Sequence, residues 1–216
     1  MLQDEKSGLA DYWVKAGIVR ERRLIDAFYA VPRENFVPEE SVRLSYGDYP
    51  LPIGYGQTIS QPSTVMIMTQ ALDVLPGNKV LEVGAGSGYQ AALLAKLVEP
   101  GGRVITTEII PELAEYARSN LEKILIKNVE VVPLDGSGGF MAYAPYDRII
   151  VTAACPKIPA ELIEQLKEGG IIVAPVGRPL FGQDMIRGEK VKGELKTKNL
   201  GGFVFVPLRG RHGYRI

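Results

Sequence analysis

The chain of 216 residues holds one cysteine, Cys155, and one histidine, His212. A single cysteine excludes an intrachain disulfide framework and fits a reducing compartment. One Cys and one His leave no set for a Cys/His zinc site, so no metal is expected. An excess of either charge is also missing: 25 basic against 25 acidic residues give a formal net charge of zero. That balance provides no broad electrostatic footprint for nucleic acid or an anionic membrane, and neither is expected as a partner. No apolar run approaches the roughly 18 to 20 residues that span a bilayer. The N-terminal stretch "MLQDEKSGLADYW" has no apolar signal core. The expectation is a soluble, cytoplasmic protein, and a monomer.

Apolar residues are plentiful, at 46% of the chain, enough for one full core and a single domain over 1–216. Three stretches differ in pattern. Residues 1–75 read as a helical and loop segment, with Leu24, Ala27, Phe28 and Val31 forming one helical stripe. Tyr12 and Trp13 are read there as plain packing. "VPRENFVPEE" and "YGDYPLPIGYGQ" are dense in Pro and Gly and read as loops, and a loop this long is usually functional or mobile. Residues 76–177 read as a cofactor-binding core in which strand and helix alternate. In its second helix Pro111 stands at the first turn, ahead of a buried stripe of Leu113, Ala117, Leu121 and Ile124. Residues 178–216 read as an antiparallel strand region, from Phe181 onward, with a half-exposed hairpin or edge strand around "KVKGELKTK". Short strands between amphipathic helices predict an α/β fold, doubly wound on a mostly parallel sheet covered on both faces.

"VLEVGAGSGYQAALLA", Val80 to Ala95, is an apolar strand, a glycine turn and the opening of a helix. The dinucleotide fingerprint needs a glycine three residues after the second one, and Tyr89 stands there. The run is instead Glu82-x-Gly84-x-Gly86-x-Gly88, and no P-loop motif is present. A carboxylate at Glu82 would serve a pyrophosphate poorly. S-adenosylmethionine has no phosphate, and an acidic lip favours its ammonium and sulfonium. The next strand ends at Glu108, where a carboxylate can accept hydrogen bonds from ribose hydroxyls. The third ends in "LDG", placing Asp135 where an adenine amino group could donate to it. Three strand ends carrying the glycine run, Glu108 and Asp135 in order favour the cofactor over the alternative that both are ordinary loop acids.

Together these residues resemble class I methyltransferases, a Rossmann-like fold. The resemblance narrows to the protein-L-isoaspartate (D-aspartate) O-methyltransferase family. It is carried by "YPLPIGYGQTISQPSTVMIM", "LEVGAGSGYQAALLA", "PYDRIIVTAACPKIPAELIEQLKEGGIIVAPVG" and "FVFVPLRGRHGY", and covers nearly the whole chain from about Arg20. "QTISQP" is its most specific mark. Two departures stand out: Leu134 replaces a usual glycine before Asp135, and Arg148 replaces a small residue.

The resemblance implies transfer of a methyl group from S-adenosyl-L-methionine to the free carboxylate of isoaspartyl residues, with S-adenosyl-L-homocysteine as product. Its partners would be isoaspartyl-containing proteins and peptides, repaired through a succinimide. It implies cofactor contacts at Gln57, Thr58, Ser60, Glu82, Gly84, Gly86, Ser87, Gly88, Glu108, Asp135 and Gly136. Substrate contacts would fall at Thr58, Ser60, Thr152, Ala153 and Ala154, the last three leaving room for a peptide backbone. A carboxylate is already ionised at pH 7, so no general base is needed, and catalysis would rest on alignment and desolvation. Ser60 is the expected catalytic contact, orienting the acceptor, with Thr58 building the pocket. A plain reading of Ser60 is a turn or cap of the helix that begins near Pro62, a place Ser63 could also take. Cys155 reads as a packed residue, and His212, between Gly210 and Gly213, as a surface histidine. The rival functions are a class I methyltransferase acting on RNA or a small molecule, a non-catalytic cofactor-binding protein, and a nicotinamide dehydrogenase.

Overall fold

The computed structural model describes residues 2–178 and 182–214, so Phe181 lies outside the described residues. Five parallel strands, β3 (Lys79–Val83), β4 (Arg103–Glu108), β5 (Val129–Pro133), β6 (Tyr146–Val151) and β7 (Leu166–Val176), form the centre of one sheet. Two antiparallel strands, β8 (Gln183–Val191) and β9 (Glu194–Phe203), extend it beyond β7. The strand order is 5-4-3-6-7-8-9. The chain therefore runs outward from β3 to β5, then returns to the other side of β3. Such a switch point opens a crevice at the carboxyl ends of the strands.

Alternate residues along each strand enter opposite cores, as the period of two requires. Val80, Val104, Ile150 and Val173 pack into the core formed with α1 (Leu2–Lys15), α2 (Arg22–Ala30), α3 (Pro62–Leu72), α4 (Tyr89–Val98) and α5 (Pro111–Lys123). Their neighbours Leu81, Ile105, Ile149 and Ile172 pack on the other face with Leu162 of α6 (Ala160–Gln165) and with Leu208. Covering both faces explains strands that read as near-continuous apolar runs. Arg148 is a nearly buried exception: its Nε donates to the carbonyl of Asp73 at 2.8 Å and its Nη1 to that of Asp147 at 2.9 Å. It bolts the left-handed C-cap of α3, Asp73 with φ +51°, onto β6.

Both helical stripes expected from the sequence face inward: Leu24, Ala27, Phe28 and Val31 are buried, as are Leu113, Ala117 and Leu121, with Ile124 partly so. Pro111 is the first residue of α5. The lysine-rich C-terminal stretch is a hairpin turning at Lys192–Gly193, both with positive φ, which matches the right-handed twist of the strands it joins. Two expectations are corrected. "YGDYPLPIGYGQ", residues 46–57, is not all loop: β1 (Leu51–Gly54) pairs as a hairpin with β2 (Gln57–Ile59), which begins at its last residue. Leu51, Ile53 and Ile59 are buried in alternation, and Pro52 is tolerated because a two-stranded ribbon is all edge. The "AELIEQLKEGG" segment is helical only to Gln165; the register of Leu166 against Tyr146 makes the rest strand.

Candidate active site

Beyond the ends of β3, β4 and β6 lies an open cavity, whose walls and mouth enclose about 880 Å³ of space that includes open solvent. One wall is Gln57, Thr58 and Ser60, from β2 and the link to α3. The floor is Glu82 to Ser87, and the far side holds Glu108, Gly136, Ser137, Thr152, Ala153 and Arg209. The hairpin and the glycine turn, distant in sequence, thus face one space.

The glycine turn is fixed before any ligand arrives. Gly84 has φ +101°, and a Cβ there would stand 2.4 Å from the Thr152 hydroxyl. That hydroxyl is shared between the carbonyls of Gly84 (2.6 Å) and Val83 (3.0 Å), so Thr152 clamps the end of β3. The Gly86 N–H donates to Glu108 Oε2 at 2.8 Å and the Ile110 N–H to Oε1 at 3.0 Å. Asn120 of α5 donates to the Ser87 carbonyl at 3.0 Å. Gly88 was expected against the cofactor but does not line the cavity. With φ +87°, it lets the start of α4 approach α5, where a Cβ would meet the Ala117 carbonyl oxygen at 3.2 Å.

Glu82 is not an exposed lip. It sits in mid-strand, paired across to Thr106 and Ile150, and is fully buried. No well-formed hydrogen bond reaches either carboxylate oxygen among the described residues, and the nearby Thr106 hydroxyl offsets burial only in part. Burial pushes its pKa up to about 8, the Thr106 hydroxyl opposes this, and the Glu108 carboxylate adds to it. An unsatisfied buried acid on a cavity floor is costly unless something arrives to use it. The site therefore fits a ligand carrying a cation or hydrogen-bond donors.

The structure places two other expected contacts differently. Asp135 lies outside the cavity lining: its carboxylate accepts from the N–H of Ser137 at 2.9 Å and of Arg211 at 2.8 Å. Burial works against these donors, but together they hold Asp135 below the usual carboxylate range. Asp135 shapes the C-terminal turn, and its neighbours Gly136 and Ser137 reach the cavity instead. Ala154 is fully buried and leaves no room for a peptide, because its N–H and C=O bond Val206 and Leu208 at 2.8 and 2.7 Å. Thr152 and Ala153 do line the space.

Ser60 is half-buried on the cavity wall, and its side chain does not cap α3. Ser63 does not cap it either. Asp48 does the work from the preceding loop, accepting from the Ser63 N–H at 2.9 Å and the Ser63 hydroxyl at 2.7 Å. Trp13 Nε1 donates to the same hydroxyl at 2.7 Å, so this tryptophan packs and also ties α1 to the start of α3. Cys155 is a buried thiol, raised to about 12 by burial, as expected of a packed residue. His212 is half-buried; its N–H donates to Ser137 Oγ at 3.0 Å and its Nδ1 stands 3.5 Å from Glu161.

The sequence reading missed Arg33, Asp48, Tyr89, Ser137 and Arg209. Tyr89 lines the cavity and carries the Arg33 guanidinium 5.0 Å above its ring. The only signal for Arg33 was an Arg-Glu pair inside the otherwise largely apolar run "YAVPRENFV". Among the described residues, no group of three or more His, Cys, Asp or Glu is placed to hold a metal.

Comparison with known proteins adds to this geometry. Residues 4–213 match the family model for protein-L-isoaspartate(D-aspartate) O-methyltransferase. The chain is 54% identical over 202 residues to the protein-L-isoaspartate O-methyltransferase of Aeropyrum pernix, covering 93% of this chain and 78% of that one. A solved protein-L-isoaspartate O-methyltransferase superposes with a TM-score of 0.88 at 30% identity, over 96% of this chain and 67% of that one. A Plasmodium falciparum protein solved in complex with S-adenosyl-L-homocysteine shares the fold, with a TM-score of 0.83 at 23% identity over 95% and 98% of the two chains.

Proposed function

Because the chain belongs to the protein-L-isoaspartate(D-aspartate) O-methyltransferase family, we propose that it methylates the free carboxylate of L-isoaspartyl residues in aged proteins and peptides, with Ser60 as the catalytic contact. D-aspartyl residues, included in the family's description, are a second acceptor. S-adenosyl-L-methionine supplies, when bound, an electrophilic methyl group on a sulfonium. The observation that carries this reading is a shared cavity: Gln57, Thr58 and Ser60 face the turn Gly84–Ser87 and the acids Glu82 and Glu108 across one space.

Each residue then has a task. Glu82, with two free oxygens, takes the cofactor's ammonium, and that contact favours its ionised form. Glu108, still with lone pairs beside the Gly86 and Ile110 N–H groups, takes the ribose hydroxyls. Gly84, Gly86 and Ser87 admit the ligand close to the backbone, while Gly136 and Ser137 border the base. Ser60 orients the acceptor carboxylate through its hydroxyl, and Thr58 and Ala153 shape the space around it. A neutral donor suits this task, because a cation clamped on the attacking oxygen would blunt its nucleophilicity. No group need remove a proton, since the acceptor is ionised at neutral pH. Alignment and the exclusion of water carry the rate.

The acceptors are isoaspartyl proteins, met by a cytoplasmic monomer without nucleic acid or membrane partners. No helix among the described residues is long and apolar enough to cross a membrane. Action on RNA or a small molecule is not favoured, since the relatives carry the isoaspartate name. The test is methyl transfer from labelled S-adenosylmethionine to two peptides that differ only in isoaspartate or aspartate. Base-labile label is expected on the isoaspartyl peptide alone, and on far less of it with Ser60→Ala. Cofactor binding without label on either peptide would remove the assigned activity.

A further inference from the structure

The turn Leu208–Tyr214 is pinned through its backbone. The Leu208 N–H donates to Ala154 at 2.7 Å, Arg211 to Asp135 at 2.8 Å, His212 to Ser137 at 3.0 Å and Tyr214 to Leu208 at 2.8 Å. Of its side chains, Tyr214 adds an anchor through its hydroxyl on the Gly177 carbonyl, whereas Arg209 and Arg211 stay exposed. Arg209 lines the methyl-donor cavity and is the one basic residue among the described residues that do so. Two residues on, Arg211 borders a second, shallow cleft together with Lys157, Glu161 and His212.

The charges here are not balanced by neighbours. Arg22, Arg23, Arg118, Arg148, Lys167 and Arg187 each stand within ion-pair distance of a carboxylate. The exposed side chains of Arg209, Arg211 and Lys157 have no such partner among the described residues. Glu161, the acid in the second cleft, faces His212 at 3.5 Å. Two unpaired cations, Arg209 and Arg211, therefore run from the mouth of the cavity along one anchored turn, and Lys157, from the link between β6 and α6, faces the second cleft beside them. The acceptor is an anion, and it must enter a cavity whose other ionisable wall groups include Glu82 and Glu108. Without a cation at the rim, its approach would be opposed by Glu108.

We propose that this turn is the specificity element of the site: Arg209 draws the acceptor's negative charge to the mouth, and Arg211 and Lys157 extend that attraction to acidic residues flanking the isoaspartate. The inference rests on the methyltransferase reading above and names which of its acceptors are favoured. Rim charges act on encounter and on salt dependence more than on the chemical step. The selection accordingly falls on KM, leaving Ser60 to handle the reacting carboxylate.

The test uses three isoaspartyl peptides that are identical except for Glu, Ala or Lys on either side of the isoaspartate. With the whole enzyme at low salt, kcat/KM for the Glu peptide should exceed that for the Lys peptide by about tenfold, through KM. The gap should shrink at high salt as screening shortens the reach of the charges. Arg209→Gln, and separately the pair Lys157→Gln with Arg211→Gln, should each narrow the gap, and Arg209→Glu should invert it. All three side chains are exposed, so these variants keep the fold. Equal kcat/KM for the three peptides, or a gap that none of the variants changes, overturns the recruitment proposal alone. Absence of transfer to every isoaspartyl peptide overturns the activity, and the proposal with it.

Discussion

Arg33 Nη2 donates to the carbonyl of Ser60 at 2.8 Å, from a guanidinium with no exposed surface. Its Nε donates to the Ser45 carbonyl at 2.7 Å, and its face lies over Tyr89, itself a wall of the cavity. Burial draws its pKa down to about 10, which still leaves it charged at neutral pH. A buried cation therefore holds the backbone of the proposed catalytic serine from behind, which predicts a positioning role for Arg33.

Removing it should displace Ser60 as well as loosen the fold. Arg33→Met leaves two buried carbonyls unpaired, at about 1–3 kcal/mol each. It should also lower kcat by roughly 10- to 100-fold, the cost of a small misplacement at a reacting centre. Arg33→Lys keeps the charge but cannot bridge both carbonyls, so it should recover stability more than kcat. Denaturant unfolding beside steady-state kinetics separates the two effects. A variant with lowered stability but unaltered kcat would falsify the positioning role.

Glu82 links cofactor binding to a proton. Its folded pKa is about 8, above the ordinary carboxylate value of 4.5. The native state thus binds more protons than the unfolded chain between those values, and stability falls as pH rises through that window. Glu82→Gln, without this penalty, should match the wild type at about pH 5 and melt on the order of 10 °C higher at about pH 9. A cation in the cavity favours the carboxylate, so S-adenosylhomocysteine binding near neutral pH should release close to one proton. Calorimetry in two buffers of different ionisation heat reads this release, and Glu82→Gln should show none while binding more weakly. Equal proton release in the two proteins would assign the proton to another group.

The strand–helix alternation was legible because each element carries its period in a dozen residues or fewer, and the glycine turn because only a few residue types serve there. The β1–β2 hairpin was hidden by composition: Pro and Gly dominate the stretch, while the inward residues Leu51, Ile53 and Ile59 give a short alternation. Membership of Glu82 and Ser60 in one site was readable from the family's motifs. Their surroundings were not, because they depend on contacts distant in sequence: Asp135 meets Arg211 across 76 positions and Arg33 meets Ser60 across 27. Local pattern cannot show whether an acid ends on a rim, as expected for Glu82, or under it.

The Trp13–Ser63–Asp48 chain fixes α1 to α3, the element that follows the proposed catalytic Ser60. Asp48→Ala removes the acceptor for both the Ser63 N–H and its hydroxyl, with the loss of a helix cap typically about 1 kcal/mol and an unsatisfied buried donor adding about 1–3 kcal/mol. Trp13→Phe removes one bond and keeps most of the apolar contact, so its cost should be smaller. Each is measured as a shift in the denaturant midpoint at constant slope. If Trp13→Phe costs as much as Asp48→Ala, the tryptophan acts through packing volume, and the hydrogen-bonded chain is not what holds the segment.

Asp135 separates two readings of the same acid. If it met the adenine, Asp135→Ala would weaken cofactor binding first. In the structure its carboxylate instead accepts from the Arg211 N–H at 2.8 Å and from the Ser137 N–H at 2.9 Å. Two N–H groups lose a charged acceptor in Asp135→Ala, a loss of about 1.5–3 kcal/mol for each such bond. The turn that carries Arg209 would then be freed while the glycine turn, held by Glu108, Thr152 and Asn120, stays in place. The KM for an isoaspartyl peptide should accordingly rise several-fold more than the Kd for S-adenosylhomocysteine. Asp135→Asn, which keeps one acceptor oxygen, should fall between the variant and the wild type. A larger loss in cofactor Kd than in peptide KM would return Asp135 to the nucleoside and leave the turn without its anchor.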